Sequence, residues 1–532
     1  MATAGRRAVA LWVVFGAVAV VSCALVWRRP DRLSDLHIYY GALQHLRAGQ
    51  PLYSYVAANG GPFTYPPFAA LVLFPIALVP AGLLDVLWLA ATVGALVAIA
   101  AAVGRSKPDV VAAVACGLLL SAPAQSNLRF GQVSVFVVLL ALVDAAGLTP
   151  ARYRGCLVGV AAAVKLTPLL FVVYFVAARR YRDAGRAAAA FGVCAAVGAL
   201  VLPSASLTYW TGTVLDTSRI GNLASLGNQS VQGMLLRVGV PPTVLPLVWA
   251  ALVGVVCLVA LARARQLARD GHHTAAAVLV GCATVAASPV SWTHHQLWPV
   301  LAAMLLIGAH GAVRRAAGAA LLTAMVLSLG VVLGEVSMRP GVQFLLENAR
   351  ALGTVGVCVF GAALAARHTS GAALAARQRS GAALAVSHRA RRWVAAGAVA
   401  AAVAVVAVQP LPASADPTFK AYRSADTANP RYFYVCRDRT SCADFIGDRT
   451  IRYGIATEKT KVRVNGVVDP SVGRLEYHSA PGGRPREIPL IALYPGQRVF
   501  SFRSASLAHG RLVAYDAAGR ELATLTPMVG RR

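Results

Sequence analysis

The stretch GCLVGVAAAVKLTPLLFVVYFVAARR, residues 155–180, decides how the chain is read. It is apolar for long enough to cross a bilayer's hydrocarbon core, yet Lys165 sits in its middle and Pro168 follows closely. An ionisable group inside an apolar run is costly and usually functional; a snorkelling structural lysine is the competing reading. Taken as one ordinary span, the segment puts the arginines of 179–186 on the far side of the membrane. Taken as two half-helices that dip in and return, it keeps every arginine cluster on the cytoplasmic side. The broken form fits the rest of the chain better. The run 66–80, punctuated by Pro66, Pro67, Pro75 and Pro80, likewise reads as a partly inserted segment.

The composition agrees with a membrane setting. Of 532 residues 57% are hydrophobic and only 13% charged, and the mean hydropathy is +0.62, which excludes an ordinary soluble enzyme. The expected fold class is an all-α polytopic membrane protein with about 11–13 transmembrane helices. Spans are placed near 8–27, 82–104, 108–125, 131–148, 187–202, 243–262, 274–290, 296–310, 316–334, 344–366 and 393–408. The net charge of +29 would suggest a nucleic-acid partner in a soluble protein. Here the arginines cluster between apolar runs, at 179–182, 263–269, 314–315 and 389–392, which is a topology signal and argues against nucleic acid. The N-terminal run 8–27, followed by Trp27-Arg28-Arg29-Pro30 with no small-residue cleavage site, reads as a retained signal-anchor.

With the N-terminus in the cytoplasm, 28–81, the region near 126–132, the loop 203–241 and everything after 410 fall outside. The expected localisation is therefore a multi-pass plasma-membrane protein with an extracytoplasmic C-terminal domain. The membrane domain covers 1–410, with 28–81 as its first extracytoplasmic loop. Residues 361–392 contain a nearly threefold decapeptide, GAALAARHTS and its variants, and read as a basic, Ala-rich cytoplasmic linker. Residues 411–532 change to short alternating runs separated by Gly, Pro and Asp, a small β-rich domain with a hairpin around 517–519; sandwich and jelly-roll both remain open. Seven cysteines lie singly in apolar runs, and Cys436 and Cys442 form the one close pair, a disulfide if this domain is extracytoplasmic.

Acids are scarce in the membrane domain, and those expected outside are Asp31, Asp35, Asp85, Asp216, Glu335 and Glu347. Asp31 follows two arginines and a proline, as a turn residue does. Asp85 and Glu347 are placed near helix starts, where a carboxylate favours the dipole. Asp35 stands among Leu36, Ile38, Tyr39 and Tyr40, where burial can tune a general base; capping of a helix over 36–48 is the alternative, and residue chemistry alone ranks it first. Arg129, beside Gln125, Asn127 and Gln132 in QSNLRFGQVS (125–134), breaks the cytoplasmic arginine rule and reads as an anion site. His294 and His295 in SPVSWTHHQLWP (288–299) offer hydrogen bonds to a phosphate or hydroxyl, with interfacial packing as the alternative. As adjacent helical residues they would point to different faces, and HExxH spacing is absent. GNLASLGNQSVQG (221–233) is rich in amides suited to sugar hydroxyls. No Walker or Rossmann glycine pattern appears, which disfavours a nucleotide-driven pump and leaves a coupled transporter open.

In combination and order, DLHIYYGALQHLRAGQPLY (35–53), FTYPPFAALVLFP (63–75), RFGQVS (129–134), GVAAAVKLTPLLF (159–171), GNQSVQG (227–233) and SPVSWTHHQLWP resemble the polyprenol-phosphate-sugar-dependent glycosyltransferases of family 87, in the GT-C superfamily. The resemblance covers roughly residues 30–310 and leaves out the repeat and the C-terminal domain. It implies an inverting enzyme that uses a polyprenyl-phosphate-linked sugar as donor and a lipid-linked or lipoglycan hydroxyl as acceptor. Asp35 matches the family's catalytic base. Arg129, Lys165, His294 and His295 are the expected donor-phosphate ligands, and Tyr65, Gln132, Asn228 and Gln229 the expected sugar or acceptor contacts. No cofactor or metal is expected. Mannose, in α-1,2 transfer, is the expected sugar. Arabinofuranosyl transfer is the alternative within the family; a flippase of lipid-linked sugars, or a membrane scaffold for the β-rich domain, is the alternative outside it.

Overall fold

Long apolar runs free of proline form long helices, and proline-punctuated runs form short ones. The computed structural model describes residues 2–364 apart from 30, 58–60, 106, 217–219, 221–222, 242, 328 and 330–339. Beyond these it describes 420–422, 434–436, 446–447 and most of 450–526. The chain divides into two units, Met1–Val408 and Gln409–Arg532.

The first unit runs through α1 (Ala2–Trp27), α2 (Ser34–Arg47), α3 (Pro67–Leu73), α4 (Ala81–Gly104), α5 (Pro108–Leu120), α6 (Ala122–Phe130), α7 (Ser134–Ala145), α8 (Cys156–Val164) and α9 (Leu169–Ala177). It continues through α10 (Tyr181–Val201), α11 (Pro203–Thr208), α12 (Val231–Arg237), α13 (Leu245–Arg269), α14 (His273–Ala287), α15 (Leu297–Ile307), α16 (Ala312–Leu327), α17 (Pro340–Glu347) and α18 (Ala349–Phe360). Among the described residues four helices are long and apolar enough to cross a membrane: Arg6–Trp27, Ala81–Gly104, Tyr181–Val201 and Leu245–Arg269. The pair α5–α6, bent by 65°, makes a fifth if it counts as one broken span. The windows read as spans at 131–148, 274–290, 296–310 and 344–366 hold shorter apolar helices, Ser134–Ala145, His273–Ala287, Leu297–Ile307 and Ala349–Phe360. The window 393–408 and most of the decapeptide repeat lie outside the described residues.

The breaks have local causes. Ser121 ends α5 and caps α6, its hydroxyl accepting from the Ala124 N–H at 3.3 Å, while Pro123 prevents the α5 ladder from continuing. α8 stops at Lys165, which is extended (φ −151°, ψ 120°), and Pro168 stands at the cap of α9. The break expected between Lys165 and Pro168 is thus observed. At the other end of α8, the buried carboxylate of Asp144 accepts from the N–H groups of Gly155 (2.8 Å) and Val158 (2.9 Å). Residues 275–286 of α14 are all buried, so this helix forms the centre of the bundle. Trp298 of α15 lies against it at Gly281, where a Cβ would come within 2.0 Å of the indole.

Among the described residues the second unit has a two-stranded sheet, a four-stranded sheet and a five-stranded sheet, in the orders β1-β2, β11-β10-β6-β7 and β3-β4-β5-β9-β8. The strands are β1 (Lys420–Tyr422), β2 (Tyr434–Cys436), β3 (Ile446–Gly447), β4 (Ile451–Thr457), β5 (Val462–Val468), β6 (Arg474–His478), β7 (Arg486–Ile488), β8 (Ile491–Tyr494), β9 (Gln497–Ser504), β10 (Arg511–Tyr515) and β11 (Glu521–Leu525). The two larger sheets share one core of Ile451, Val464, Leu475, Ile488, Phe500 and Leu512, which is a sandwich. The expected hairpin joins β10 to β11, and Asp516 holds its turn by accepting from the N–H groups of Ala518 and Arg520, both at 2.9 Å. Cys442 lies outside the described residues, and with it the expected disulfide.

Candidate active site

The site is built on the corner between α6 and α7. Gly131 closes α6 in the left-handed conformation (φ +67°), its N–H donating to the Asn127 carbonyl at 3.0 Å. That turn delivers Gln132 and then Ser134, the first residue of α7. The buried Asn127 fastens the corner on both sides: its Oδ1 accepts from the Val135 N–H at 3.2 Å, and its Nδ2 donates to the His294 carbonyl at 2.8 Å. α2 is held to the same corner, because the Leu33 N–H donates to the Arg129 carbonyl at 2.6 Å and Leu36 lies against Gly131.

Asp35 is the second residue of α2, and Leu33, with φ +52°, stands at the N-cap without a side-chain cap bond. The capping reading of Asp35 is therefore not what the structure shows. Its Oδ2 accepts from Gln132 Nε2. Burial pushes the Asp35 carboxyl up to about 6, against the Gln132 hydrogen bond and the positive charge of Lys165, which favour ionisation. Gln132 Oε1 accepts from the Tyr65 hydroxyl at 3.1 Å and, in a longer contact of 3.4 Å, from Ser134 Oγ. Burial also raises the pKa of the Tyr39 and Tyr65 phenols, so both remain O–H donors. With the Tyr65 proton directed at Gln132, the Tyr39 hydroxyl donates to Tyr65 at 3.0 Å.

Lys165 Nζ donates to Ser134 Oγ at 2.9 Å and lies 2.8 Å from His295 Nε2. Burial, with the Lys165 charge and His294 adding to it, drives the His295 imidazolium well below its ordinary range, so the ring is neutral, and its Nδ1 accepts from the Trp292 N–H at 3.2 Å. The two histidines sit in a 3₁₀ turn, Thr293–His295, with their rings edge to face at 4.4 Å, rather than on opposite faces of an α-helix. His294 is buried and packs edge-on against Phe130 at 6.1 Å. Ser134, Lys165, Phe171, Ser291, His295 and Trp298 line one small cleft with a cavity volume of about 30 Å³.

Other expected site residues are committed elsewhere. Arg129 donates to Asp31 Oδ2 at 2.6 Å, so the arginine that looked like an anion site already holds a carboxylate. Asn228 spends its amide on main chain: Nδ2 donates to the carbonyls of Leu223 and Pro289, and Oδ1 accepts from the Ser291 and Ser230 N–H groups. Gln229 donates to the carbonyls of Leu226 and Glu347 and accepts from the Ala351 N–H. Glu347 ends α17 two residues before α18 begins, while Asp85 is buried in the second turn of α4 and takes Arg32 (3.3 Å) and His37 (2.9 Å) as partners.

Sequence reasoning missed Ser134, although it closes the quoted RFGQVS, and the buried Arg237 and Arg350. Arg237 donates to Asn348 Oδ1 and to the carbonyls of Ser225 and Asn228. Arg350 donates to the carbonyls of Ala324 and Met325. An arginine in apolar surroundings was the available signal in both cases.

The model of "Glycosyltransferase family 87" matches residues 63–291. A polyprenol-phosphate-mannose-dependent alpha-(1-2)-phosphatidylinositol pentamannoside mannosyltransferase of Mycolicibacterium smegmatis is 33% identical over 299 residues, 54% of this chain and 72% of the relative. The chain belongs to glycosyltransferase family 87. A polyprenol-phosphate-mannose-dependent alpha-(1-2)-phosphatidylinositol mannoside mannosyltransferase of Mycobacterium tuberculosis is 32% identical over 351 residues, 60% of this chain and 81% of that relative. No solved structure matches. As a family 87 member the chain is a glycosyltransferase, and Tyr65, Gln132, Lys165, Asn228 and Gln229 fall within the matched residues, while Asp35 precedes them.

Proposed function

We propose that this glycosyltransferase transfers mannose from a polyprenyl-phosphate donor to a hydroxyl of a phosphatidylinositol-mannoside-type glycolipid, in α-1,2 linkage, at the extracytoplasmic membrane face. The observation that carries the reading is the pairing of a half-buried carboxylate, Asp35, with a half-buried cation, Lys165, through Gln132 and Ser134 at one corner of the bundle. The activities of the relatives favour mannose over arabinose and a phosphatidylinositol mannoside as acceptor. The arginine clusters between apolar runs favour a cytoplasmic N-terminus and an outward-facing site.

In the reaction Asp35 takes the proton of the acceptor hydroxyl, whose oxygen attacks the anomeric carbon. The bond from that carbon to the phosphate oxygen breaks, and the polyprenyl phosphate departs as an anion with inversion. Lys165, aimed by Ser134 and His295, supplies fixed positive charge to the departing phosphate. Arg129 contributes only where Asp31 shares it. The apolar wall of the cleft beside Lys165 suits the first units of a lipid chain. Asn228 and Gln229 shape the 223–233 loop against α18 rather than contact sugar.

The test is transfer of labelled mannose from polyprenyl-phosphate mannose to a phosphatidylinositol mannoside by the purified full chain, with Asp35→Asn alongside. The variant is expected to remain in membranes and lose transfer; full activity in Asp35→Asn overturns the assignment of the base. Activity with an arabinosyl lipid donor and none with the mannosyl one overturns the sugar.

A further inference from the structure

The hydrogen bonds around Gln132 have a fixed direction. Lysine ammonium only donates, so the Lys165–Ser134 bond runs from Nζ to Oγ, and the Ser134 hydrogen is left to point at Gln132 Oε1. Tyr65, kept protonated, donates to the same oxygen. Two hydroxyl donors on one side fix the amide's orientation, so its N–H₂ end faces Asp35, and Asp35 Oδ2 must accept. A protonated Asp35 oxygen at that position would set donor against donor.

We infer that Ser134 and Gln132 form a one-way hydrogen-bond relay from Lys165 to Asp35, and that these two positioning residues hold Asp35 in its acceptor, base-competent form. The relay rests on the reading of Asp35 as the base. It gives the site a property that neither charged group has alone: the cation that faces the leaving phosphate also keeps the base ionised. Other charged or titratable groups near α2 are committed elsewhere. Arg129 holds Asp31, Asp85 holds Arg32 and His37, and the two tyrosines stay neutral. His295 and His294 are neutral rings on the far side of Lys165, and Tyr53 donates to the Tyr65 carbonyl.

The experiment measures kcat and donor KM from pH 5 to 8 for the full-length wild type and for Ser134→Ala, Ser134→Thr and Gln132→Leu, with polyprenyl-phosphate mannose as donor. Loss of the relay moves the acidic limb of kcat upward, by about one pH unit in Gln132→Leu and about half a unit in Ser134→Ala. At pH 8, above the limb, a residual loss of up to about tenfold in Ser134→Ala reports the loosened Lys165 and is separate from the shift of the limb. Ser134→Thr, which keeps the hydroxyl, retains the wild-type limb. An equal loss at every pH, or a raised donor KM with an unmoved limb, overturns the relay, since packing or substrate contact gives those outcomes. If Gln132→Leu does not fold, Ser134→Ala, which deletes one oxygen, decides alone. An active Asp35→Asn sinks the base and the relay together; an inactive Asp35→Asn with unmoved limbs in both relay variants sinks the relay only.

Discussion

Lys165 Nζ lies 2.8 Å from His295 Nε2, across 130 residues of sequence, in the gap where α8 stops and α9 has yet to begin. A helix continued through Lys165 would carry the amine along its own side. The break gives it an extended backbone and lets it meet the 3₁₀ turn that precedes α15. The amine then has two fixed neighbours, Ser134 Oγ, which accepts from it, and His295 Nε2, and remains next to the cleft.

Lys165→Met is expected to lower kcat by about 10²–10³, the scale of removing one preorganised charge donor. His295→Ala, which loosens the lysine without removing it, is expected to cost about tenfold. Because both act through one amine, the double variant should be little slower than Lys165→Met alone. Losses that multiply would show that His295 contacts substrate independently.

The pH dependence follows from the sign of the Asp35 shift. Burial raises its carboxyl to about 6, and the base works only when ionised, so activity is present above that value and falls as pH drops through it. Initial rates from pH 5 to 8 should show an acidic limb near about 6 with a tenfold loss per unit below it. A flat profile would exclude Asp35 as the base.

Gly131 meets two demands at once. Its φ is +67°, and a Cβ there would stand 2.7 Å from Leu36 Cβ and 3.1 Å from Leu33 Cδ2. Gly131→Ala should destabilise the protein by about 1–3 kcal/mol and lower transfer by displacing Gln132 from Asp35. Gly131→Asn separates the causes, since Asn tolerates the left-handed backbone but still carries the Cβ. Both variants should lower the Tm in detergent; rescue by Asn would leave close packing without a role.

Asn228 is bound to main chain through both ends of its amide. Asn228→Ala should therefore lower stability by about 2–3 kcal/mol, as buried partners lose their hydrogen bonds. Its donor and acceptor KM values should stay within about twofold of wild type. A raised KM with an unchanged Tm would return Asn228 to the substrate contacts.

What local sequence settles was legible. Hydropathy gave the membrane class, Lys165 with Pro168 gave the broken segment, and alternation with turn residues gave the β10–β11 hairpin, because each depends on neighbours within a few residues. Lys165 and His295 stand out by residue type in their surroundings, whereas Asp35 as base and Tyr65 and Gln132 as site residues come from the family resemblance. Ser134 was passed over because a serine opening a helix looks like ordinary capping chemistry. The assignment of partners was not legible at all. Arg129 and Asn228 carry the same groups whether they meet a substrate or the protein, and only packing brings Asp31 to one and the Pro289 carbonyl to the other. The sequence by itself determined which ionisable and amide groups are costly to bury. The tertiary structure decided which of them satisfy one another and which remain beside open space, since that depends on contacts between segments far apart in the chain.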